Sequence, residues 1–194
     1  DMSVMRAFIA VNLSLEIQQR LDEVIAAFKR RLEHTPVRWV QAKNIHLTLK
    51  FLGDVSVTNL DLLKKQLQAE VAGCHSFEIS VGGAGAFPSV HRPRVIWVGV
   101  KAPPDLTTVQ TGVESAMARL GYPPEERPFS PHLTIGRVAR NCTPQDFHLI
   151  SSALEKEKVG FLGALCVQAV NLYRSDLQPG GAVYTSIFTA RLSA

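Results

Sequence analysis

The chain has 194 residues, 46% of them hydrophobic and 20% charged, with a formal net charge of +4. This length suits one compact domain or two small lobes packed closely together. No run of about 18 apolar residues is present, so no membrane span is predicted. No signal-peptide pattern opens the chain, and we expect a cytoplasmic protein with no membrane association. The small basic excess fits an anionic partner but does not by itself indicate nucleic-acid binding.

In the first half of the chain, turn residues separate runs of strand and helix periodicity. Strands are predicted over 6–11, 38–40, 45–52 and 77–81, and the third of these is closed by Gly53 and Asp54. Helices are predicted over the segment that follows Ser14, which is a plausible N-cap, as far as Pro36, and over 59–71.

The second half begins with a segment rich in Gly and Pro, residues 82–93. It is either a plain connection between strands or a mobile loop over a cleft. Strands are then predicted over 94–100, 131–138, 165–173 and 183–188, with a turn at 179–181 before the last one. Helices are predicted over 105–120 and 144–157.

Two tetrapeptides of one design, His46-Leu-Thr-Leu49 and His132-Leu-Thr-Ile135, are the main functional signal. Side chains on a strand alternate between its two faces, so each histidine shares a face with the threonine two residues later. The flanking aliphatic residues then point into the core. One His-x-Thr would be unremarkable by chance in a chain of this composition, whereas two with matching aliphatic neighbours would not.

The motifs belong to a longer internal duplication. Strand, helix and histidine strand recur in the same order, and the two histidines are 132 − 46 = 86 residues apart. This pattern predicts an α+β fold of two lobes related by a pseudo-twofold axis, each an antiparallel or mixed sheet with helices on its outer face. We expect residues 2–194 to form one bilobal domain, with a His46 half and a His132 half that meet at a central cleft.

Two imidazoles facing one cleft suit acid–base chemistry at a phosphodiester. Histidine can accept or donate a proton near neutral pH, because its ordinary pKa is about 6.5. Thr48 and Thr134 can donate hydrogen bonds to phosphoryl oxygens. Lys50 shares the face of His46 by alternation and could add positive charge, whereas Arg137 would need a twist or a bulge at Gly136 to reach the cleft.

No metal or cofactor is expected. Two histidines would need a further ligand to hold zinc, and no such ligand is evident in the sequence. Cys74, Cys142 and Cys166 are odd in number and form no Cys-x-x-Cys pair, so they indicate neither a zinc site nor a disulfide framework. We expect reduced, mostly buried thiols.

The sequence resembles the 2H phosphoesterase superfamily and, within it, the RNA 2′,3′-cyclic phosphodiesterases, also called 2′-5′ RNA ligase-like proteins. The resemblance covers nearly the whole chain. It lies in segments that include the following: Arg6-Ala-Phe-Ile-Ala-Val11, Arg38-Trp-Val40, Asn44-Ile-His-Leu-Thr-Leu-Lys-Phe-Leu-Gly53, Arg127-Pro-Phe-Ser-Pro-His-Leu-Thr-Ile-Gly-Arg137 and Leu172-Tyr-Arg-Ser175.

The resemblance implies metal-independent hydrolysis of a terminal 2′,3′-cyclic phosphate to a 2′-phosphate. It also implies His46 as proton donor, His132 as proton acceptor, and a weak, reversible 2′-5′ joining of RNA ends without ATP. The motif residues alone leave the roles of the two histidines open. The implied partners are RNA ends, including tRNA fragments, or small cyclic nucleotides, and we expect a monomer.

Further substrate contacts are predicted less directly. Arg137 is a candidate for binding the phosphate, and so are Arg94, Tyr173 and Arg174, each of which could equally be structural. Phe8, Phe51 and Trp97 are candidates for stacking on a base, although alternation places Phe51 on the core face beside Leu49. The alternative function is a nucleotide-binding or RNA-end-binding module that keeps the cleft without turnover. Intact histidines and threonines in both motifs favour the enzyme.

Overall fold

Strands and helices alternate along residues 3–194, the part of the chain that the computed structural model describes. The strands are β1 (Val4–Val11), β2 (Val37–Trp39), β3 (Leu47–Ser56), β4 (Phe77–Phe87), β5 (Val95–Lys101), β6 (His132–Val138), β7 (Phe161–Val167), β8 (Ala169–Gln178) and β9 (Gly181–Arg191). The α-helices are α1 (Leu15–Arg31), α2 (Leu60–Ala72), α3 (Pro104–Arg119) and α4 (Pro144–Lys156), and 3₁₀ turns occupy Ala42–Asn44 and Val57–Asn59. The predicted domain start at Met2 lies outside the described residues.

The strands form two separate antiparallel sheets, so the α+β prediction is confirmed. Sheet A has the order β3-β1-β8-β9, and sheet B has the order β2-β6-β5-β4-β7. Strand β3 of sheet A contacts β6 of sheet B, so the two histidine strands lie next to each other. Each sheet contains the same run of four strands, with β3, β1, β8 and β9 corresponding to β6, β5, β4 and β7.

Most helices and strands lie close to the positions that local sequence signals predict. The Ser14 hydroxyl accepts a hydrogen bond from the Ile17 amide at 3.3 Å, which confirms this residue as the N-cap of α1. Helix α1 ends at Arg31, before Pro36. The Gly53–Asp54 boundary is wrong, because β3 continues to Ser56 and Gly53, with a φ of 71°, still pairs with Ala7.

Several other boundaries differ from the predictions: β3 begins at Leu47, one residue after His46, and β9 spans Gly181–Arg191 instead of 183–188. Two differences are larger. Strand β4 runs through most of the Gly- and Pro-rich segment, as far as Phe87, and pairs with β5. A side chain at Gly85 would collide with the Trp97 indole, so the glycine allows this ring to lie against the strand. The single strand predicted over 165–173 is two strands, β7 and β8, because the chain crosses from sheet B to sheet A at Gln168.

The helices cover the sheets and enclose a large hydrophobic core that includes residues of both sheets, while Phe8, Ala10 and Tyr173 form a small separate cluster. Helix α1 packs against β7 of sheet B, while α3 packs against β3 and α2 against β9, both in sheet A. The fully buried side chains include Phe28, Leu47, Leu63 and Met117. The faces of the sheets that are free of helices lie toward the cleft that holds the histidine motifs.

Candidate active site

A cleft of about 570 Å³ is lined by both sheets and by the segment before β6. Its lining includes both histidines and both threonines of the two motifs, which sequence spacing had placed together. The other lining residues with aromatic or charged side chains are Phe8, Lys50, Phe51, Phe87, Glu125, Arg127, Phe129, Arg137 and Tyr184.

Each histidine is fixed by a hydrogen bond to the backbone two residues earlier. His46 Nδ1 lies 3.1 Å from the Asn44 carbonyl oxygen, and His132 Nδ1 lies 2.7 Å from that of Ser130. A carbonyl oxygen can only accept, so in each ring Nδ1 carries the proton. In the neutral imidazole, Nε2 is then the unprotonated nitrogen, which can accept a proton from a molecule in the cleft.

His46 is held in an aromatic pocket on sheet A. Its ring centroid lies 4.4 Å from that of Tyr173, 5.8 Å from that of Tyr184 and 6.0 Å from that of Phe8. Burial among these rings lowers the pKa of His46, an effect that the hydrogen bond with the Asn44 carbonyl only partly opposes. Burial also raises the pKa of Tyr173 to about 12, so its phenol stays neutral near pH 7.

His132 has a counterpart of this arrangement on sheet B. The Phe87 ring meets it edge-on, with the ring centroids 4.9 Å apart. Phe87 lies beside Val95 on β5, just as Tyr173 lies beside Phe8 on β1. Each catalytic candidate thus has an aromatic ring supplied from the second strand over in its own sheet.

A β-bulge follows the threonine in both motifs. Thr48 pairs with Ala10 and Lys50 with Ile9, which leaves Leu49 without a partner of its own. On the other sheet, Trp97 pairs with Thr134 and Ile96 with Gly136, so Ile135 is the extra residue. A bulge reverses the alternation beyond it, so the residue three positions after each threonine returns to the cleft face.

The first bulge overturns two predictions. Lys50 is turned away from the face of His46 and is only 3% exposed, with Nζ 2.9 Å from Glu114 Oε1 and 2.5 Å from the Pro123 carbonyl oxygen. It touches the cleft wall, but its charge is neutralised there. Phe51 is not in the core: it lines the cleft and is 61% exposed.

The second bulge brings Arg137 to the cleft, as its prediction required, although the extra residue is Ile135 rather than Gly136. Phe51 and Arg137 are therefore equivalent positions, each five residues after its histidine. Their equal spacing from the histidines is visible in the sequence, but the bulges that turn both positions toward the cleft are not.

The structure does not bring the other predicted contacts into the cleft. The Arg94 guanidinium donates to the Ala139 carbonyl at 3.0 Å and lies 5.0 Å from the Phe147 ring centroid, outside the cleft. Tyr173 is 5% exposed and lies behind His46, where it supports the imidazole. Arg174, its neighbour on β8, forms an ion pair with Asp176.

Among the candidates for base stacking, Phe8 reaches the cleft but is 5% exposed, because Tyr173 stacks on it and Tyr184 meets it edge-on. Trp97 packs against Gly85 and Phe87 and is not part of the lining. Sequence reasoning missed Phe87, Arg127, Phe129 and Tyr184, which come from segments read as loop or as ordinary strand.

Residues 3–194 contain neither a cluster of metal ligands nor a helix suited to a bilayer. No three His, Cys, Asp or Glu side chains in this range are grouped so that they could hold a metal ion. None of the helices described combines the length and the apolar character needed to cross a bilayer. The three thiols are free, but the expectation that they are mostly buried is wrong: Cys74 and Cys142 are half-buried and Cys166 is exposed.

The class of two-histidine phosphoesterases is defined by this combination: two sheets, a duplicated His-x-Thr motif, and two imidazoles in one cleft that are each held by a hydrogen bond from Nδ1. A family model described as LigT-like phosphoesterase matches the chain twice, over residues 11–97 and 98–184. The chain therefore belongs to the LigT-like phosphoesterase family, as its resemblance to the 2H superfamily predicted.

Relatives and solved structures agree with this assignment. The chain is 33% identical to an RNA 2′,3′-cyclic phosphodiesterase of Methanothermobacter thermautotrophicus over 96% of this chain and 98% of the relative. It is 31% identical to the enzyme of that name from Escherichia coli K12 over 94% and 93% of the two chains. E. coli LigT, solved in complex with 3′-AMP, superposes with a TM-score of 0.78 at 26% identity, covering 99% of this chain and 100% of LigT.

Proposed function

We propose that this chain hydrolyses RNA 2′,3′-cyclic phosphate ends to 2′-phosphates by metal-independent acid–base catalysis. The observation that carries the proposal is the matched pair of imidazoles, each with Nδ1 bound to a backbone carbonyl, in one cleft with two threonines. Relatives of similar length are named for this activity. The E. coli LigT complex with 3′-AMP supports a ribonucleotide as the occupant of the cleft.

The proposed reaction needs two proton transfers at one phosphorus. The neutral ring of His132, unprotonated at Nε2, takes a proton from the attacking water. The ring of His46, protonated at Nε2, gives its proton to the departing 3′ oxygen. The P–O3′ bond breaks as the bond to water forms, which leaves a 2′-phosphate and a free 3′ hydroxyl. Thr48 and Thr134 donate hydrogen bonds to the non-bridging oxygens, where negative charge increases in the transition state.

The aromatic pocket fits the donor role of His46. Burial makes its imidazolium a stronger acid than an exposed one, so it gives up the proton more readily. The negative charge of the bound phosphodiester favours the protonated ring before the reaction. With an RNA 5′ hydroxyl group as the attacking group in place of water, His132 would take its proton and His46 would protonate the departing 3′ oxygen, so that the P–O3′ bond breaks as a 2′-5′ linkage forms without ATP.

We also propose that residues 2–194 act as one bilobal unit and as a monomer. One large hydrophobic cluster includes residues of both sheets, and the cleft takes residues from both. Short RNA ends, including those of tRNA fragments, and small cyclic nucleotides are the proposed substrates.

The first test is hydrolysis of a short RNA ending in a 2′,3′-cyclic phosphate, with EDTA present and the 2′- and 3′-phosphate products resolved. We expect the 2′-phosphate alone. His46→Ala and His132→Ala should each lower kcat by about 10²–10⁴-fold, with far-ultraviolet circular dichroism like that of the wild type. Tight binding of the RNA by the wild type without turnover would instead support a binding module.

The roles of the two histidines are separated by a substrate whose 3′ bridging oxygen is replaced by sulfur. A thiolate leaves without protonation, since a thiol has a pKa of about 8.5. Activity of His46→Ala should therefore recover on the thio substrate, whereas that of His132→Ala should not. Recovery of His132→Ala instead would exchange the two roles.

A further inference from the structure

Two arginines lie directly opposite each other on neighbouring strands of sheet B. Arg38 of β2 pairs in register with Arg137 of β6. Opposite residues of an antiparallel pair project from the same face of the sheet. Trp39, next to Arg38, stacks on the buried Phe28 with ring centroids 5.9 Å apart, so Arg38 projects to the other face. That is the face on which Arg137 lines the cleft.

Both guanidinium groups are exposed. Within residues 3–194, no carboxylate lies within 4 Å of either one. Like charges directly opposite on a sheet are unfavourable. Strand β2 is the edge of its sheet, where charged residues commonly prevent contact with other sheets. A carboxylate would serve that purpose equally well and would attract Arg137, so an arginine at position 38 calls for a different explanation.

A bound anion would account for the pair, since it turns the repulsion into shared attraction. The guanidinium fork matches two oxygens of one phosphate and keeps its charge at any working pH. Arg137 lies three residues beyond Thr134 on the floor of the cleft, whereas Arg38 lies one strand further out. The anion that Arg38 meets is therefore outside the position where the histidines act.

This placement identifies the anion, provided that the function proposed above is correct. A terminal 2′,3′-cyclic phosphate occupies the histidines and threonines. The next phosphate along such an RNA is the one on the 5′ oxygen of the terminal nucleoside. We propose that Arg38, together with Arg137, binds this 5′ phosphate, so that the site selects nucleotide and RNA ends over bare nucleoside 2′,3′-cyclic phosphates.

The test compares kcat/KM for uridine 2′,3′-cyclic phosphate with that for the same compound carrying a 5′ phosphate. For the wild type we expect a preference of about 10-fold or more for the 5′-phosphorylated substrate, the effect of one charge-assisted contact. Arg38→Gln should lower this ratio at least several-fold, and Arg137 accounts for any preference that remains. The control is Arg20→Gln, which removes the same charge from an exposed position on α1 and should keep the wild-type ratio.

Salt dependence gives a second readout with a dinucleotide substrate. Arg38→Gln loses one phosphate contact, so its slope of log kcat/KM against log salt concentration should be shallower than that of the wild type by about 0.7. Arg20→Gln loses no such contact and should keep the wild-type slope. Equal preference in wild type and Arg38→Gln would overturn the subsite while the hydrolysis stands. Absence of turnover on every substrate would overturn the proposed function and this inference with it.

Discussion

His46 occupies an environment that disfavours its own charge. Three aromatic rings surround the imidazole, and burial lowers its pKa below the ordinary 6.5. The protein therefore gives up stability in acid to keep this ring between Tyr173 and the cleft. This cost is measurable, because the unfolded chain exposes the same ring to water.

We expect the wild type to lose stability relative to His46→Gln as the pH falls below 6.5. In this range the unfolded chain binds a proton at His46 that the folded chain resists, so the free energy of unfolding decreases with falling pH until the lowered native pKa is passed. Urea unfolding between pH 7.5 and pH 5 measures the difference. His148→Gln, which removes an exposed imidazole from α4, is the control. Parallel curves for wild type and His46→Gln would contradict the expectation.

At the scale of single residues, the sequence was informative where spacing decides geometry. Side chains two residues apart on a strand point to the same face. This spacing placed His46 with Thr48 and His132 with Thr134. Arg94 and Tyr173 could not be located in this way. Whether Arg94 reaches into the cleft or lies over Phe147 depends on where α4 packs, and no local pattern encodes this position.

Among the elements, the two bulges account for the clearest failure of sequence reasoning. Strict alternation predicted Lys50 in the cleft and Phe51 in the core, and the extra residue at Leu49 reversed both. Leu49 itself differs in no way from an ordinary strand residue. The bulge is held by a distant contact, since Gln110 of α3 donates a hydrogen bond from Nε2 to the Leu49 carbonyl at 3.3 Å.

Lys50 gains a structural role from the same bulge. It connects β3 with α3, through Glu114, and with the segment that leads toward His132, through Pro123. The other carboxylate oxygen of Glu114 accepts a hydrogen bond from the Glu125 amide at 2.8 Å. The buried pair thus joins the strand of one histidine to the segment that precedes the other.

Replacing Lys50 with Met should destabilise the protein by about 3 kcal/mol, because it leaves a largely buried carboxylate without its cation. The double variant Lys50→Met/Glu114→Gln should recover at least half of that loss. Arg174→Met, which breaks the exposed pair with Asp176, is the matched control and should cost less than about 1 kcal/mol. Urea unfolding at pH 7.5 checks all three. If Lys50→Met cost no more than Arg174→Met, the buried pair would be structurally unimportant.

At the scale of the whole molecule, the division into two sheets does not coincide with the division into two sequence repeats. The spacing predicted two similar halves, and the family model matches each half in turn. Yet sheet A combines β1 and β3 with β8 and β9 from the end of the chain, whereas β4 of the first half lies in sheet B. Helix α1 likewise packs on sheet B, and α3 on sheet A. Sequence periodicity could not reveal this exchange, because an apolar pattern shows which face of a segment is buried but not which half of the chain covers it.

Interwoven sheets make the two halves dependent on each other. We expect residues 1–91 and 92–194, expressed separately, to show no cooperative thermal unfolding, because the first lacks the β8 partner of β1 and both partners of β4. Mixing the two fragments should restore cooperative unfolding and cyclic phosphodiesterase activity. The control is the intact chain with a protease site placed between the exposed Val90 and His91 and cut after folding, which should keep its melting temperature to within a few degrees. Cooperative unfolding of residues 1–91 alone would show that the His46 half is an independent domain, and the cleft would then be an interface between two domains instead of part of one core.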